Sequence, residues 1–335
     1  MQPAWWVIGE PLAYFPNLPD TALTAAHPPT LPPDCHSRAG GNPDPIVFLG
    51  DTYTTAIALV SQGCPVRYVT AIGTDDRSQQ WQQEARLAGL DLAAVQVLPE
   101  APLGAFAARN DSKAGFVYWR AGSAASRFQS NPPLLASLAQ AGGVYSSGVS
   151  LAVSQGFRAL VPNAFETILA QGGITAFDLN WRPRLWEASG LSVEAQQALL
   201  NTVLDRTQVL FVSFPDDTTP WLGVTILPEV LQVLQDWTAG GNRVAILKQG
   251  ADGATAITQR HTVTVVPQNV LTAENLNTIG AGDAFNAGVL VGLSHGGLAL
   301  LDEATLVAIL TQGHQSAFAH LQQWNATLRA GTENP

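Results

Sequence analysis

Short apolar segments alternate with helical segments along most of the chain, and this alternation constrains the fold more than any other feature. Strands are predicted at residues 5–9, 65–73, 143–147, 174–179, 209–213 and 243–248. Helices are predicted at about 50–60, 75–88, 151–171, 192–205, 228–240, 283–295 and 303–323. Repeated strand–helix units place parallel strands in one sheet and cover both of its faces with helices. We therefore predict an α/β fold with a central, mostly parallel sheet.

Two segments depart from this alternation. Between residues 103 and 120, apolar residues alternate with a period of two on either side of a polar turn at 110–112, which predicts a small antiparallel flap. Residues 11–47 are rich in proline and lack periodicity, so we predict a loop with an insertion there. A terminal hairpin is predicted at 254–257 and 263–266.

The size and charge of the chain exclude several classes of function. With 335 residues, 46% of them apolar and 13% charged, the chain can bury one large core. A net charge of −10 argues against binding to nucleic acid or to an anionic membrane. No apolar run approaches the roughly 20 residues of a membrane span.

The N-terminus and the cysteines bear on the cellular compartment. Residues 1–10 lack the basic head and the long apolar core of a signal peptide, so the cytoplasm is the expected location. Cys35 and Cys64 are the only cysteines in the sequence, and they indicate neither a disulfide framework nor a thiolate metal site.

The segment at 277–293 carries the strongest chemical signal, because a turn with the sequence Gly-Ala-Gly-Asp leads into an apolar helix. Gly280 and Gly282 allow a ligand to approach the backbone closely. The N–H groups at the start of a helix suit a phosphate. Asp283 then lies within reach of the group that carries the phosphate, and we expect the helix dipole to make it a weak base. The alternative is an N-capped turn in which Asp283 only satisfies backbone donors.

A second glycine-rich turn, at residues 248–254, follows a predicted strand. Backbone amides near Gly250 and Gly253 could contact a nucleotide there, although a plain hairpin turn is favoured on this segment alone. The turn is not a Walker A loop, because no Gly-Lys-Ser/Thr follows four residues on. No Gly-x-Gly-x-x-Gly follows the first strand either, which argues against a Rossmann dehydrogenase.

Polar residues also follow the strand predicted at 209–213, at the sheet edge where open α/β folds bind ligands. Asp216 can reach a magnesium ion through water, because Mg²⁺ normally keeps several of its waters. Helix capping by Ser213 or by Asp216 is the alternative.

Two arginines lie in aromatic segments that carry few other charges. Arg120 follows Tyr118 by two residues, and Arg182 follows Asn180 by two residues. A guanidinium in such surroundings needs an acidic partner, and its planar fork suits a carboxylate. We therefore expect a substrate that carries a carboxylate. The alternative is that each arginine is a solvated surface charge.

Together these motifs resemble those of the ribokinase-like (PfkB) carbohydrate kinases. The Gly-Ala-Gly-Asp string resembles the C-terminal signature of the family, and the segment at 248–253 resembles its Lys-x-Gly-x-x-Gly nucleotide segment. The two arginine segments, with residues 48–52 and 147–152, closely resemble the 2-keto-3-deoxygluconate kinases of this family. The resemblance covers residues 5–10 and 46–326.

The resemblance implies a ribokinase-like fold made of a single domain, 1–335. It implies a small β lid built from segments at about 11–48 and 101–122, and a nucleotide-binding part at about 207–326. It further implies a kinase that uses ATP and Mg²⁺ to phosphorylate a small-molecule sugar acid, 2-keto-3-deoxygluconate, in Entner–Doudoroff-type catabolism. The sequence leaves the oligomeric state open, and a homo-oligomer is compatible with it.

The resemblance also implies roles for individual residues. Asp283 would accept the proton of the substrate hydroxyl, beside an anion hole formed by Gly280, Ala281 and Gly282. The implied substrate contacts are Gly50, Asp51, Tyr118, Arg120, Arg182 and Asp283. The implied nucleotide contacts are Asn180, Arg182, Ser213, Lys248, Gly250, Gly253, Gly280 and Gly282, and Asp216 would reach the metal through water.

Three positions depart from the family pattern, because Leu49, Thr55 and Asn277 stand where the family usually has Gly, Asn and Asp. Thr55 would offer the sugar a hydroxyl in place of an amide. Loss of the carboxylate at Asn277 is predicted to weaken the local scaffold by about 1–2 kcal/mol. These departures leave two alternatives open. One is a kinase for another sugar, such as fructose or a nucleoside, and the other is a non-catalytic sugar-acid-binding homologue.

Overall fold

The computed structural model describes residues 4–15, 47–108, 115–271, 276–298 and 301–332. Its strands are β1 (Ala4–Ile8), β2 (Leu12–Phe15), β3 (Val47–Leu49), β4 (Val66–Ile72), β5 (Val95–Val97), β6 (Gly104–Ala108), β7 (Phe116–Trp119), β8 (Ala141–Ser147), β9 (Ile174–Asp178), β10 (Val209–Ser213), β11 (Val244–Lys248), β12 (Ala254–Thr258) and β13 (Thr262–Val265). Its helices are α1 (Asp51–Ser61), α2 (Asp76–Leu87), α3 (Pro132–Ser137), α4 (Gly148–Val153), α5 (Gln155–Ala170), α6 (Pro183–Ala188), α7 (Val193–Asp205), α8 (Thr218–Leu222), α9 (Leu227–Thr238), α10 (Ala281–Gly296) and α11 (Glu303–Thr332). None of these helices is both long enough and apolar enough to span a membrane.

The large sheet has nine strands in the order β13–β12–β11–β10–β9–β8–β1–β4–β5. Neighbouring strands from β11 to β5 run parallel, whereas β12 and β13 turn back as an antiparallel hairpin. Strand β1 lies between β8 and β4, where Val7 pairs with Tyr145 on one side and with Tyr68 on the other. This arrangement confirms the predicted, mostly parallel sheet and its central first strand.

Helices cover both faces of this sheet, and the side chains of β1 show why its sequence is apolar throughout. Trp5 and Val7 join the core beneath α1, α2, α10 and α11. Trp6 and Ile8 join the core beneath α4, α5, α7 and α9. Successive side chains of a strand point to opposite faces, so a strand with helices on both sides must be apolar at every position.

A smaller sheet has four strands in the order β3–β2–β6–β7. Strands β6 and β7 pair antiparallel, as predicted for the flap, and the turn predicted at 110–112 lies outside the described residues. The loop predicted across 11–47 is wrong at its two ends, where Leu12–Phe15 and Val47–Leu49 are strands. These strands are short and mostly buried, so their sequences show no alternation that would mark them. Residues 16–46 lie outside the described part of the chain.

Two helix boundaries also differ from prediction. The helix predicted at 151–171 is a pair, α4 and α5, because Ser154 takes an extended conformation and its Oγ accepts a hydrogen bond from the Gly156 N–H at 3.2 Å. A serine N-cap of this kind begins a new helix. Helix α11 continues to Thr332, well past the predicted end at 323. Its Trp324 is buried against Tyr14 of the smaller sheet, with ring centres 5.6 Å apart.

Candidate active site

Polar residues lie at the carboxyl ends of five neighbouring strands of the large sheet. Glu10 follows β1, Ser147 ends β8, Asp178 ends β9, Ser213 ends β10 and Lys248 ends β11. Carboxyl ends of neighbouring parallel strands meet at one edge, which is where open α/β sheets bind their ligands. The sheet thus brings distant parts of the sequence into one cleft.

Asp178 organises the base of this cleft. Its Oδ2 accepts hydrogen bonds from Lys248 Nζ at 2.8 Å and from Asn286 Nδ2 at 2.6 Å. Its Oδ1 accepts a bond from the Asn180 N–H at 3.2 Å. Asn286 Nδ2 also contacts the Tyr145 hydroxyl at 3.1 Å. Because Asp178 and Asn286 are buried, these bonds fix the position of the lysine.

The predicted anion hole is the N-terminus of α10. Gly280 has a φ of +80°, and a Cβ there would lie 2.6 Å from His320 Nε2, so both the backbone and the packing require glycine. The N-cap Gly280 has no side chain to cap this helix, and the Ala281 N–H donates to the Thr278 carbonyl oxygen at 3.2 Å, so the N–H groups of Gly282 and Asp283 are the ones left for a ligand. A Cβ on Gly282 would lie 3.7 Å from Lys248 Nζ, so a cation stands beside those N–H groups. Both features favour an anion.

Asp283 lies in the first turn of α10 and is half-buried. Desolvation raises its pKa well above the usual range, and the neighbouring carboxylates of Asp51 and Asp178 raise it further. The cations Lys248 and Arg182 oppose this shift. The expected weak base is therefore wrong, because desolvation and like charges outweigh the helix dipole. The residue at the N-cap is Gly280 rather than Asp283, so the capping alternative is not what the structure shows.

Thr55 connects helix α1 to the backbone of Asp283. Its hydroxyl lies 3.1 Å from the Asp283 carbonyl oxygen, 3.0 Å from the Asp51 carbonyl oxygen and 3.4 Å from the Tyr145 hydroxyl. Thr55 is fully buried. Its hydroxyl therefore supports helix α10 and does not face a ligand, contrary to the expectation from sequence.

Gly50 and Asp51 begin helix α1. A Cβ on Gly50 would lie 2.4 Å from the Glu10 carbonyl oxygen, so only glycine lets these two segments meet. Asp51 Oδ2 accepts hydrogen bonds from Asn180 Nδ2 at 2.9 Å and from Ser147 Oγ. Burial raises the pKa of Asp51, while the bond from Ser147 opposes the shift. Asp51 was predicted to contact the substrate and Asn180 the nucleotide, and the structure places the two side chains in direct contact.

Arg120 has an acidic partner inside the protein. Its Nε lies 3.4 Å from Glu10 Oε2, and its guanidinium carbon lies 4.4 Å from the centre of the Tyr118 ring. Glu10 is only 1% exposed, and Ser123 Oγ donates to its Oε1 at 3.3 Å. The sequence predicted the substrate as the acidic partner of this arginine, so the Glu10 contact corrects that interpretation.

Arg182 is the more accessible of the two arginines, with 54% of its side chain exposed. Its Nη1 lies 3.7 Å from Asp217 Oδ1 and donates to the Trp181 carbonyl oxygen at 3.1 Å. Its charge acts on both Tyr118 and Asp283. Both predicted arginines therefore lie near Tyr118, at the side of the cleft that also holds Asp283.

The end of β10 differs from prediction. Asp216 is exposed, whereas Asp217 is fully buried and accepts hydrogen bonds from the N–H groups of Ser213 and Trp181, each at 2.7 Å. Neither Ser213 nor Asp216 caps the following helix α8. Burial raises the pKa of Asp217 to about 6. Nothing in the sequence distinguished the structural aspartate of this adjacent pair from the exposed one.

A cavity of about 310 Å³ lies between the glycine-rich turn and helix α10. Its lining is mostly apolar and includes Phe285 and Leu321, with Lys248 and Gly282 at its polar part. Gly253 also lines it, and a Cβ there would lie 2.4 Å from the Val265 carbonyl oxygen. The turn is therefore a hairpin that requires glycine and, at the same time, a wall of a cavity of the kind that binds small ligands.

Asn277 stabilises the turn that leads into α10. Its Oδ1 accepts a hydrogen bond from the Ile279 N–H at 3.0 Å. Its backbone N–H and carbonyl oxygen both bond to the side chain of Asn325, each at 3.0 Å. An amide oxygen fills the acceptor role of a carboxylate at this contact, so asparagine keeps the turn in place.

The comparisons with known proteins agree with this geometry. The pattern of the pfkB family carbohydrate kinases matches residues 46–330. The chain belongs to the pfkB family of carbohydrate kinases. It is therefore a phosphotransferase that acts on an alcohol group, and the family predicted from sequence is confirmed.

Several pfkB relatives are similar over most of their length. The chain is 33% identical over 267 residues to the 2-dehydro-3-deoxygluconokinase of Dickeya dadantii, which covers 75% of this chain and 82% of that one. It is 31% identical over 270 residues to the enzyme of the same name from Escherichia coli strain K12, with the same coverage. The solved structure of Salmonella enterica aminoimidazole riboside kinase, complexed with aminoimidazole riboside and an ATP analog, has a TM-score of 0.74 at 18% identity and covers 97% of this chain and 99% of that one. This structural likeness confirms the ribokinase-like fold.

The structure brings most of the predicted site residues into one cleft, while Asp216 is exposed shortly after the end of β10. Their roles in binding and catalysis stay predictions. Sequence reasoning did not single out Glu10, Asp178 or Asp217. The first two could have been found, because each is an acidic residue at the carboxyl end of a predicted strand.

Proposed function

We propose that this kinase transfers the γ-phosphoryl group of ATP to the terminal hydroxyl of 2-keto-3-deoxygluconate, also called 2-dehydro-3-deoxygluconate, to form 2-keto-3-deoxy-6-phosphogluconate. The observation that carries the proposal is the pair Arg120 and Arg182 near Tyr118, in the cleft that holds Asp283. An arginine fork suits the carboxylate of a sugar acid. The identity of 31–33% to relatives named 2-dehydro-3-deoxygluconokinase supports the same substrate.

ATP is proposed to occupy the apolar cavity, with its terminal phosphate at the N-terminus of α10. Apolar side chains such as Phe285 and Leu321 suit an aromatic base. The N–H groups of Gly280 and Gly282 and the ammonium group of Lys248 suit the phosphates, while the Ala281 N–H donates to the Thr278 carbonyl oxygen. The likeness to a kinase that was solved with an ATP analog supports this placement.

Asp283 is proposed to orient the acceptor hydroxyl and to receive its proton. A raised pKa makes this carboxylate a stronger base than an exposed aspartate. Phosphoryl transfer depends mainly on positioning and charge neutralisation. Lys248 and the N–H groups of α10 would neutralise charge on the phosphates, and Thr55 would hold the backbone of Asp283 in position.

Mg²⁺ is proposed as an ion held mainly by the phosphates of ATP. The described residues contain no cluster of three His, Cys, Asp or Glu side chains that could hold a metal alone. Asp216 is exposed at the end of β10 and would reach the ion through water, since Mg²⁺ keeps several waters. When bound, the ion would neutralise the charge of the phosphates.

The smaller sheet is proposed to act as a lid over the sugar. It carries Tyr118 in β7, and Arg120 directly follows that strand. Closure would exclude water and so limit ATP hydrolysis without a sugar. We expect 2-keto-3-deoxygluconate to protect residues 103–120 from proteases. Identical cleavage with and without the sugar acid would contradict this role.

A coupled ADP-release assay over a panel of acceptors tests the proposed function. With ATP and Mg²⁺, kcat/KM should be highest for 2-keto-3-deoxygluconate and much lower for fructose, a nucleoside and a matched analogue whose carboxylate is reduced to an alcohol. A higher value for fructose or a nucleoside would contradict the proposal. Calorimetric binding of the sugar acid without turnover would instead favour a non-catalytic sugar-acid-binding homologue.

A further inference from the structure

Glu10 is a buried carboxylate that the proposed reaction does not use. It lies between β1 of the large sheet and β2 of the smaller sheet and is 1% exposed. A Cβ on Gly50 would lie 2.4 Å from its carbonyl oxygen, and a Cβ on Gly104 would lie 2.9 Å from its Oε1. Two glycines thus make room for Glu10, which is held firmly at the junction of the two sheets.

The contact between Glu10 and Arg120 is close but incomplete. Glu10 Oε2 lies 3.4 Å from Arg120 Nε, yet neither atom has a hydrogen-bond partner among the residues that the structure describes. Within the described part of the chain, the other oxygen, Oε1, accepts one long hydrogen bond, from Ser123 Oγ at 3.3 Å. A guanidinium has five N–H donors. The Nε edge of Arg120 therefore faces Glu10, and the remaining N–H groups of the Arg120 guanidinium can donate to a second carboxylate.

Charged and titratable groups from several elements face this pair. Asp51 of α1 acts on both Glu10 and Arg120. The hydroxyls of Tyr68 in β4 and Tyr118 in β7 are near enough for the charge of Glu10 to affect them. One arginine thus already faces the buried carboxylate of Glu10 and the half-buried carboxylate of Asp51. The carboxylate of a substrate would be a third.

We propose that a sugar acid shares Arg120 with Glu10, and that its binding adds a proton from solvent to the Glu10 carboxylate. The inference rests on the proposed function, because it takes the substrate to carry a carboxylate. No bond of the sugar acid changes in this step. Glu10 is thus a positioning residue that acts on the substrate through Arg120.

Glu10, rather than Asp51, is the group that takes the proton. Asp51 Oδ2 accepts hydrogen bonds from Ser147 and Asn180, and such bonds favour the charged form of a carboxylate. Glu10 Oε2 accepts none from the described residues. The buried charge with fewer and longer hydrogen bonds is the one that neutralises first when a like charge arrives, and Glu10 has only the bond from Ser123 among the described residues.

The pH dependence follows from this arrangement. Burial already raises the pKa of Glu10, and Arg120 and Ser123 oppose the shift. A substrate carboxylate bound to Arg120 would partly neutralise the arginine charge that lowers the pKa of Glu10, so the pKa of Glu10 would rise further. Glu10 then has one pKa in the free protein and a higher one in the complex with the sugar acid. Affinity for the sugar acid should be constant below both values, fall by up to about tenfold per pH unit between them, and be constant again above both.

Calorimetry measures the proton directly. We expect the wild type to take up protons when it binds 2-keto-3-deoxygluconate without ATP, in pairs of buffers that differ in ionisation enthalpy between pH 5 and 8. Glu10→Gln should take up fewer. Glu84→Gln is the control, because Glu84 on α2 also has a pKa raised by desolvation but is exposed and lies beside Tyr53, and it should behave as the wild type. Equal uptake by the wild type and Glu10→Gln would overturn the inference.

Steady-state kinetics separates this role from a purely structural one. The KM of the wild type for the sugar acid should rise with pH. Glu10→Gln is neutral at every pH, so its KM for the sugar acid should be low and independent of pH. The KM for ATP should be the same in both proteins. Ser123→Ala removes a bond that favours charged Glu10, so its rise in KM should move to higher pH. A structural role would raise the KM of Glu10→Gln at every pH. Turnover of the sugar acid without these differences overturns this inference alone, whereas failure to bind any sugar acid overturns the proposed function as well.

Discussion

Lys248 Nζ lies 2.8 Å from Asp178 Oδ2, although β10 separates their strands in the sheet. The lysine side chain is 12% exposed and the aspartate side chain 2%. Asp178 leads into the segment of Asn180 and Arg182, and Lys248 opens the glycine-rich turn. This single ion pair therefore joins the side of the cleft proposed for the sugar acid to the side proposed for the nucleotide.

Replacing Lys248 by methionine should destabilise the fold. The change leaves Asp178 as a buried charge without its cation, which typically costs 3–5 kcal/mol. We expect about 3 kcal/mol in the free energy of unfolding, measured with denaturant, because Asn286 still donates to the same oxygen. Arg206→Met is the control, since it breaks a 3.3 Å pair with the exposed Glu166 and should cost less than about 1 kcal/mol. Equal losses in the two variants would contradict this account.

Replacing Gly280 by alanine should impair both stability and turnover. Gly280 and Gly190 have similar φ values, +80° and +75°, but only at Gly280 would a Cβ meet a neighbour, His320 Nε2 at 2.6 Å. Gly190→Ala should therefore cost only the backbone strain, about 1 kcal/mol, and leave turnover intact. Gly280→Ala should cost more than that in denaturant unfolding and slow ADP release. Comparable stability and turnover in the two variants would show that the anion hole tolerates the extra carbon.

Much of this fold could be predicted because its signals are local. An apolar run such as that of β1 must be buried on both sides, and Gly280 of the Gly-Ala-Gly-Asp turn marks a left-handed backbone conformation that favours glycine. Repeated strand–helix units then fix a parallel sheet, and a parallel sheet fixes which edge binds ligands. These local rules were enough to predict that Asp283 lies at the start of a helix.

The rest depends on contacts between distant segments. The pairing of Glu10 with Arg120 joins positions on two different sheets, and no pattern near either residue announces it. Asp216 and Asp217 are adjacent and chemically identical, and only the local path of the chain buries the second. Thr55 faces a helix rather than a ligand for the same reason, since the packing of α1 on α10 decides its direction.

Replacing Asp283 by asparagine should slow turnover strongly. The amide can orient a hydroxyl but cannot accept its proton, and loss of a general base typically costs about 10²–10⁴ in rate. The KM for ATP should change little, because the N–H groups of the helix remain. Asp205→Asn, at an exposed position at the end of α7, is the control and should match the wild type in the ADP-release assay. Wild-type turnover by Asp283→Asn would refute its role as the base.

Asp217 should make stability depend on pH. Its pKa in the folded protein is about 6, against a usual value of 3.8, so the folded state binds its proton more tightly than the unfolded state does. The stabilisation is fully present below the usual value and is lost as the pH rises through about 6. The free energy of unfolding should therefore fall between about pH 4 and 6, and Asp217 should account for on the order of 2–3 kcal/mol of that fall.

The variant Asp217→Asn isolates this contribution from that of other carboxyls with raised pKa values, such as Asp51 and Asp283. Its amide oxygen can still accept one of the two backbone bonds from Ser213 and Trp181, but it does not titrate. Urea unfolding between pH 4 and 7 should show a shallower slope for this variant than for the wild type. Asp216→Asn changes the exposed neighbour and should keep the wild-type slope, because an exposed carboxylate gains little from folding. If both variants keep that slope, the buried carboxylate is charged throughout this range, and its bonds to the backbone outweigh its desolvation.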